Sequence, residues 1–245
     1  STRQKAFLGS LGLFEATPLD VSEAPSGRPL LPAKWGEIQS MTISYGHGLS
    51  TSPVHLATAY SAVVNGGTMV RPTLLKQTGR TLGPQVVKPE TSAIMRSMLH
   101  DVVEKGTATL AQIPGYDVGG KTGSANKLVG GRYDPSHAVG SFAAVFPADG
   151  PVSAKRYSIL ILMDEPSQYP KTGGYVAAPA VGRIADRIAG FLGVERRADR
   201  YRTATGENCP YACTALSTGR NPFEEGEHRG QRQHAQPDCH EPDHH

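Results

Sequence analysis

The sequence predicts an α+β fold, with an antiparallel sheet flanked by helices. Three apolar, partly β-branched segments, residues 116–125, 138–146 and 157–163, read as successive strands. Two segments with helical periodicity precede them and one follows. The connections between the strands are short and rich in glycine and proline, which favours antiparallel neighbours because parallel strands need long crossovers. We therefore expect a three-stranded meander with two helices on one side and a terminal helix.

The two helices before the sheet carry clear start and stop signals. Ser52 can cap free backbone N–H groups, Pro53 suits the first helical position, and Gly66 follows the last turn. Pro89 opens the second helix and Gly106 ends it. The expected buried faces are Leu56, Ala59, Tyr60 and Val63 in the first helix, and Ile94, Met95, Met98, Leu99, Val102 and Val103 in the second.

The remaining segments of the first 200 residues are less regular. Residues 1–14 are predicted to be the end of a helix and a turn, and residues 18–32 a long loop rich in proline, glycine and serine. Residues 70–76 read as a short edge strand or an extended connection. The last helix is predicted over 176–192, with Gly193 just past its end. Its expected buried face is Val181, Ile184, Ala185, Ile188 and Leu192.

Composition excludes several classes of function. The net charge of +3 comes without a block of lysine and arginine, so we expect no nucleic-acid partner. No apolar run approaches the roughly 20 residues that cross a bilayer. We expect no cofactor.

Residues 201–245 differ in composition from the rest of the chain. They contain Cys209, Cys213, Cys239 and five of the nine histidines, with almost no aliphatic residues. The spacings match no compact tetrahedral zinc site, so we predict a disordered tail without a metal. The abrupt change of composition after the last predicted helix is also what a shift of the reading frame would produce. The predicted domain organisation is thus a globular part, 1–200, and a tail.

The densest chemical signal is the stretch GGKTGSANK, which starts at Gly119 on the first predicted strand. Small residues leave the strand edge open, so that a peptide backbone can approach closely. Lys121 supplies a charge and Thr122 a hydrogen-bond donor, which together suit a carboxylate. An unpaired N–H further along the strand can donate to a developing oxyanion. The pattern favours recognition of a peptide by strand addition.

Several short segments around this stretch fall in a characteristic order. They are Leu11–Phe14 with Leu19, Ser44–Tyr60, Asn65–Gly67 with Arg71-Pro72, Glu104–Ala108, Lys121–Lys127 and Thr172–Pro179. Together they resemble the C-terminal part of the transpeptidase domain of a class B penicillin-binding protein of the cell-division, septal type. The resemblance spans about residues 5–195, and the combination is far more specific than Lys-Thr-Gly alone.

The resemblance implies a fold of the penicillin-binding transpeptidase and serine β-lactamase type, incomplete on its N-terminal side. It implies a substrate-binding edge made of Lys121, Thr122, Gly123 and Ser124, with the Ser124 N–H as one of two oxyanion donors. The implied reaction of the parent protein is D,D-transpeptidation, in which a serine is acylated by a peptidoglycan stem peptide ending in D-Ala-D-Ala. β-Lactams and other cell-division proteins are implied partners. The parent is expected at the periplasmic side of the inner membrane, anchored by an upstream helix.

The serine nucleophile of the family lies in an S-x-x-K motif, and here only Ser124 and Lys127 match that spacing. A catalytic pair needs both side chains one helical turn apart, whereas positions i and i+3 of a strand point to opposite faces. The S-x-N match from Ser124 to Asn126 fails on the same ground. We therefore expect no catalytic nucleophile within this sequence, no acylation of the chain alone, and low solubility, since part of a helical face is left uncovered.

Two groups of alternatives remain open. Within the superfamily these are an elongation-type transpeptidase, a D,D-carboxypeptidase or a serine β-lactamase, although the glycine-rich turn at Gly46 followed by Ser52-Pro53 argues against the last two. The second alternative belongs to another functional class: a non-catalytic remnant that binds a peptide or a division partner. The histidines His47 and His55 and the acidic pair Asp164-Glu165 are interpreted as packing or solvated residues instead of catalysts.

Overall fold

The structure is a computed structural model, and it describes residues 2–22, 24, 28–79 and 82–197. The predicted tail, with its cysteines and its histidines, lies outside the described residues. The elements are α1 (Thr2–Ser10), α2 (Glu37–Ser44), α3 (Pro53–Val64), β1 (Thr68–Val70), β2 (Leu82–Gln85), α4 (Pro89–Glu104), β3 (Gly119–Val129), β4 (Arg132–Phe146), β5 (Tyr157–Asp164), α5 (Gly173–Val176) and α6 (Ala178–Leu192).

The predicted meander is confirmed: the main sheet has the order β3-β4-β5 and both pairs are antiparallel. Its first hairpin is tighter than expected. Gly130 and Gly131, with φ of 58° and 81°, form the whole connection between β3 and β4. Two residues with positive φ suffice for a hairpin turn. The strands therefore extend into residues that the sequence suggested were loop.

Side chains on alternate positions of β4 pack against helices on opposite faces of the sheet. Phe142 and Phe146 belong to the core shared with α5 and α6. Val145 lies in a second core with Val64 of α3 and Leu99 of α4. The period-2 alternation of a strand places these neighbours on different faces. The predicted meander with two helices on one side and a terminal helix is thus confirmed, and the structure adds that the terminal helix packs on the opposite face.

The predicted apolar stripes of the helices are wrong in part. Leu56 is 40% exposed in α3, while Ile94 and Met98 of α4 are 60% and 50% exposed. α4 instead buries Ser92 and Arg96 together with Leu99 and Val103. The reason is hydrogen bonding: the Arg96 guanidinium donates to Ala148 O, Val64 O and Ser92 Oγ at 3.1–3.2 Å. A charged side chain can be buried where hydrogen bonds to the protein replace those to water.

The terminal helix ends at Leu192, with Gly193 at a φ of 69° just past it, as predicted. It begins at Ala178, after the separate short helix α5. Its buried face is made largely of small residues, and Ile184 is exposed. The buried residues of α6 are Ala178, Ala180, Val181, Gly182, Ala185 and Ala189.

The N-terminal part contains an element that the sequence did not indicate. Helix α2 follows the predicted loop, and β1 pairs with β2 in a separate two-stranded sheet. Leu11 and Leu13 pack against Ala59 and Ala62 of α3, which attaches the N-terminal segment to the rest. No helix in the described part of the chain has the length and hydrophobicity needed to span a membrane.

Candidate functional site

Strand β3, which carries the Lys-Thr-Gly triplet, is an edge strand of the main sheet. Within the described residues it pairs with β4 alone. In an antiparallel pair, alternate N–H and C=O groups of an edge strand point away from the neighbour and are free to bind another chain. Lys121 and Ser124 are exposed on this strand, and Thr122 and Gly123 are half-buried. The structure therefore brings all four predicted site residues to one open edge.

Lys121 supplies positive charge at this edge. Its Nζ donates to the backbone oxygen of Thr122 at 2.9 Å, which leaves two of its three N–H groups free for a ligand. No carboxylate among the described residues forms an ion pair with it. The charge of Lys121 is consequently available to an incoming anion.

The hydroxyl of Thr122 has a partner outside β3. Thr107, in the segment after α4, places its Oγ1 2.8 Å from Thr122 Oγ1. A hydroxyl donates one hydrogen and accepts two. Thr122 can therefore accept from Thr107 and still donate its own hydrogen to a carboxylate.

A second contact holds the strand from the side of α5. We call residues 172–176 the glycine strap. The backbone N–H of Gly173 donates to Ser124 Oγ at 3.1 Å. A Cβ at Gly173 would lie 2.1 Å from Ser141 O and 2.6 Å from Gly123 O. The strap thus lies on the backbone of β3 and β4, and only glycine fits there.

Gly123 and Gly174 complete this close packing. A Cβ at Gly123 would lie 2.5 Å from Ser141 Oγ, and one at Gly174 would lie 2.1 Å from Thr107 O. The segment that orients Thr122 and the segment that orients Ser124 are therefore packed against each other. The two hydroxyls of β3 are positioned by one continuous group of contacts.

Ser124 and Lys127 have separate partners. Ser124 Oγ is bound to the strap, whereas Lys127 Nζ lies 2.9 Å from Asp164 Oδ1 and 2.8 Å from Glu165 Oε1. Hydrogen bonds with Glu165 and then Asp164 raise the pKa of Lys127 above its usual value. A general base needs a lysine that loses its proton readily, so the geometry of Lys127 does not suit that role.

Asp164 and Glu165 are solvated, as interpreted from the sequence, since 68% and 46% of their side-chain surfaces are exposed. Both carboxylates bind Lys127 across the central strand, because β3 and β5 flank β4. Glu165 adopts a φ of 46° where the chain leaves β5. The pair therefore forms a solvent-exposed ionic contact between the two outer strands.

The histidines have structural contacts. His55 is 1% exposed, and its ring nitrogens lie 2.8 Å from Ser52 Oγ and 3.0 Å from Glu15 O. The predicted packing role is therefore confirmed. The ring of His47 lies 5.9 Å from that of Tyr133 in an edge-on contact. Neither histidine is hydrogen-bonded to the four site residues on β3.

Sequence reasoning missed the residues that orient the site. Thr107 lies in the segment Glu104–Ala108, which carried the resemblance without a role of its own. Lys171 directly precedes the strap and was not singled out. The described residues contain no cluster of three or more histidine, cysteine, aspartate or glutamate side chains that could hold a metal.

Comparison with known sequences identifies relatives over most of the described region. The penicillin-binding protein transpeptidase domain matches residues 1–186. Probable peptidoglycan D,D-transpeptidase FtsI of Caulobacter vibrioides is 42% identical over 210 residues, which is 80% of this chain and 35% of that protein. Stage V sporulation protein D of Bacillus subtilis is 33% identical over 203 residues, 78% of this chain and 31% of that protein. The chain thus spans about a third of the length of these relatives.

Solved structures agree with the fold. The transpeptidase domain of Burkholderia pseudomallei penicillin-binding protein 3 superimposes with a TM-score of 0.70 at 34% identity, covering 78% of this chain and 58% of that one. Penicillin-binding protein 3 of Mycobacterium tuberculosis, in complex with ampicillin, gives 0.69 at 27% identity over 83% of this chain and 50% of that one. The sheet, its helices and the sequence match lead to one conclusion: this chain belongs to the penicillin-binding protein transpeptidase domain family.

Proposed function

We propose that this chain forms the carboxylate-binding wall of a D,D-transpeptidase cleft that cross-links peptidoglycan during septum formation. The substrate is a stem peptide ending in D-Ala-D-Ala, and β-lactams bind at the same edge. The observation that carries this proposal is the open edge of β3, where Lys121 has no carboxylate partner among the described residues and contacts from Thr107 and the strap hold Thr122 and Ser124. The relative from Caulobacter vibrioides supports the proposal through its name, probable peptidoglycan D,D-transpeptidase. Penicillin-binding protein 3 of Mycobacterium tuberculosis has been solved in complex with aztreonam and in complex with ampicillin.

In this mechanism the stem peptide adds to the edge of β3 as an antiparallel strand. Lys121 provides charge and Thr122 a hydrogen bond to the terminal carboxylate, and Gly123 leaves room for the backbone. The Ser124 N–H donates to the carbonyl oxygen of the penultimate D-alanine as it becomes an oxyanion. A serine of an S-x-x-K motif attacks that carbon, the terminal D-alanine leaves, and an amine of another stem peptide then displaces the serine.

We propose that Ser124 is not the nucleophile and that the acylated serine lies elsewhere in the whole protein. Ser124 Oγ accepts from the strap, and Lys127 is held by two carboxylates. Residues 1–200 are then the C-terminal portion of the transpeptidase domain. We further propose that the whole protein is anchored in the inner membrane, faces the periplasm and associates with other cell-division proteins.

A second function is favoured by the same observation. If no serine and lysine complete the cleft, the chain is a non-catalytic module that binds a peptide terminus or a division partner. An elongation-type transpeptidase shares the β3 edge and differs in its partners.

The test measures binding of acetyl-D-Ala-D-Ala to the 245-residue chain. Ligand-observed saturation-transfer NMR at low protein concentration detects this binding. We expect saturation of the methyl groups of the peptide and its loss in Lys121→Ala. The matched control is Lys155→Met, an exposed lysine in the β4–β5 connection. Equal saturation with the C-terminally amidated dipeptide would contradict carboxylate recognition. A covalent adduct on Ser124 after incubation with fluorescent penicillin would overturn the assignment of the nucleophile.

A further inference from the structure

A cavity of about 350 Å³ lies between the N-terminal segment, α3 and β1. This volume is within the range of small-molecule binding sites in proteins. None of the residues that line it belongs to the main sheet. Two segments that carried the resemblance, Leu11–Phe14 and Arg71-Pro72, contribute to the cavity and have no part in the carboxylate-binding edge. The lining residues are Leu11, Gly12, Glu15, Pro18, His55, Thr58, Met69, Val70 and Arg71.

The inner wall of the cavity is apolar except for one hydroxyl. Leu11 is buried, and Pro18, Met69 and Val70 are half-buried. Thr58 is only 6% exposed, and within the described residues its side chain forms no hydrogen bond. A buried hydroxyl without a partner is unfavourable. The hydrogen-bonding capacity of Thr58 is therefore available to a ligand.

His55 attaches the N-terminal segment to α3 and forms part of the wall. Its ring nitrogens lie 2.8 Å from Ser52 Oγ and 3.0 Å from Glu15 O. Because both nitrogens already have partners, the ring offers a ligand a flat surface and no further hydrogen bond. His55 and Thr58 lie three residues apart and hence on one face of α3. The backbone of Glu15 is thereby held beside the cavity.

Two side chains of opposite charge lie at the mouth of the cavity. Glu15 and Arg71 both line it and are exposed. Within the described part of the chain, neither forms an ion pair, so they do not neutralise each other. Asp20 is a further carboxylate near Arg71, but it accepts from the Leu74 N–H at 3.1 Å and from the Thr73 hydroxyl. Glu15 and Arg71 are therefore the charges that a ligand in the cavity meets.

We propose that this cavity binds a small zwitterion with an apolar body, namely a free aromatic α-amino acid. The ammonium of the ligand pairs with Glu15 and its carboxylate with Arg71, while the ring packs against His55 and the apolar wall. A cavity of about 150 Å³ can hold benzene, so the present volume accommodates an aromatic ring together with its charged head group. Because the charges lie at the mouth and Thr58 at the buried end, the phenolic hydroxyl of tyrosine binds the Thr58 hydroxyl.

The test compares four ligands that differ in one group each: L-tyrosine, L-phenylalanine, tyramine and 3-(4-hydroxyphenyl)propionate. Saturation-transfer NMR at low salt gives their dissociation constants for the 245-residue chain. We expect L-tyrosine to bind about two- to fivefold more tightly than tyramine or the propionate, since ion pairs at exposed positions are weak. L-Tyrosine should bind about fivefold more tightly than L-phenylalanine because of its hydrogen bond with Thr58.

Each variant should affect the recognition of one group of the ligand. Glu15→Gln should weaken L-tyrosine and tyramine but not the propionate, whereas Arg71→Met should weaken L-tyrosine and the propionate but not tyramine. Thr58→Val removes the hydroxyl with little change of shape and should abolish the preference for L-tyrosine over L-phenylalanine. The matched controls, Glu90→Gln in α4 and Arg183→Met in α6, are at exposed positions and should leave all four affinities unchanged.

The outcomes separate this inference from the proposed function, because the cavity and the edge of β3 share no residue. Equal affinities of the four ligands, or no binding of L-tyrosine, would overturn the inference and leave the edge intact. Tighter binding of acetyl-L-tyrosine amide than of L-tyrosine would also overturn it, since the cavity would then accept a side chain of a polypeptide. Loss of L-tyrosine binding in Lys121→Ala would place the amino acid at the edge of β3 instead.

Discussion

Thr107 and Thr122 lie with their hydroxyl oxygens 2.8 Å apart, although one follows a helix and the other lies on the edge strand. The contact gives the Thr122 hydroxyl a fixed hydrogen-bond neighbour outside β3. When Thr107 donates, the Thr122 hydrogen is free to bind a carboxylate. The orientation of the Thr122 hydroxyl therefore depends on Thr107, a residue that does not contact the substrate in the proposed complex.

Replacing Thr107 with valine removes this hydroxyl and preserves the shape of the side chain. We expect the affinity for acetyl-D-Ala-D-Ala to fall by about fivefold, since one hydrogen bond contributes about 1 kcal/mol. Saturation-transfer NMR measures the change, and Thr107→Ser should retain binding. A valine variant with wild-type affinity and wild-type melting temperature would show that Thr107 does not orient Thr122.

A methyl group on the glycine strap should destabilise the chain. Because the Cβ of Gly173→Ala would lie 2.1 Å from Ser141 O, we expect a loss of about 3 kcal/mol in the free energy of unfolding. Gly190→Ala in α6 is the matched control, since its Cβ meets nothing within 4 Å. That variant should be neutral or about 0.5 kcal/mol more stable. Urea denaturation followed by circular dichroism measures both, and equal stabilities would contradict the close packing.

Loss of the buried guanidinium of Arg96 should lower the free energy of unfolding. Arg96→Met leaves Ala148 O and Val64 O without a donor, and we expect about 2–4 kcal/mol of destabilisation. Arg183→Met, at an exposed position of α6, should change stability by less than about 0.5 kcal/mol. Urea denaturation distinguishes them. A stable Arg96→Met variant would mean that water replaces the guanidinium.

Asp20 should contribute to stability only above its own pKa. The Thr73 hydroxyl and the Leu74 N–H donate to its carboxylate and lower its pKa below 3.8. A group whose pKa is lower in the folded state stabilises above the unfolded value, and this stabilisation is lost as the pH falls through the folded value. Thr73→Val should raise the pKa of Asp20 toward 3.8, as measured by carbon-detected NMR of the carboxyl group. An unchanged pKa would show that the Leu74 N–H suffices.

The exposed apolar face of α4 should cause self-association. Ile94 and Met98 are one helical turn apart and both exposed. Sedimentation velocity of the chain should show concentration-dependent oligomers, and the double variant Ile94→Glu, Met98→Lys should shift the distribution toward monomer. A monomeric wild-type chain with a sharp thermal melt would contradict the prediction of low solubility.

The sheet was predictable because its strands are apolar and its turns are short. Glycines at the β3–β4 turn and apolar alternation around Phe142 and Phe146 specify the same arrangement. The four site residues on β3 were predictable for a related reason, since they are consecutive and one strand positions them all.

The surroundings of the site were not predictable from periodicity. α4 turns polar Ser92 and Arg96 inward, and hydrogen bonds with distant carbonyls decide this. α2 is a helix of mostly polar residues, Glu37 to Ser44, without an apolar stripe to mark it. Thr107 and Gly173 reach β3 only through the folding of segments 15 and 49 residues away.

The ion pairs between Lys127 and the two carboxylates at the end of β5, Asp164 and Glu165, affect the entropy lost when a substrate binds. β3 is held near its start, where the His100 ring lies 3.1 Å from Val118 O, in its middle by the strap, and near its far end by Lys127. A peptide that adds to this edge meets a template that is already ordered. The entropy lost on association then comes almost entirely from the peptide, which is the advantage of preorganisation.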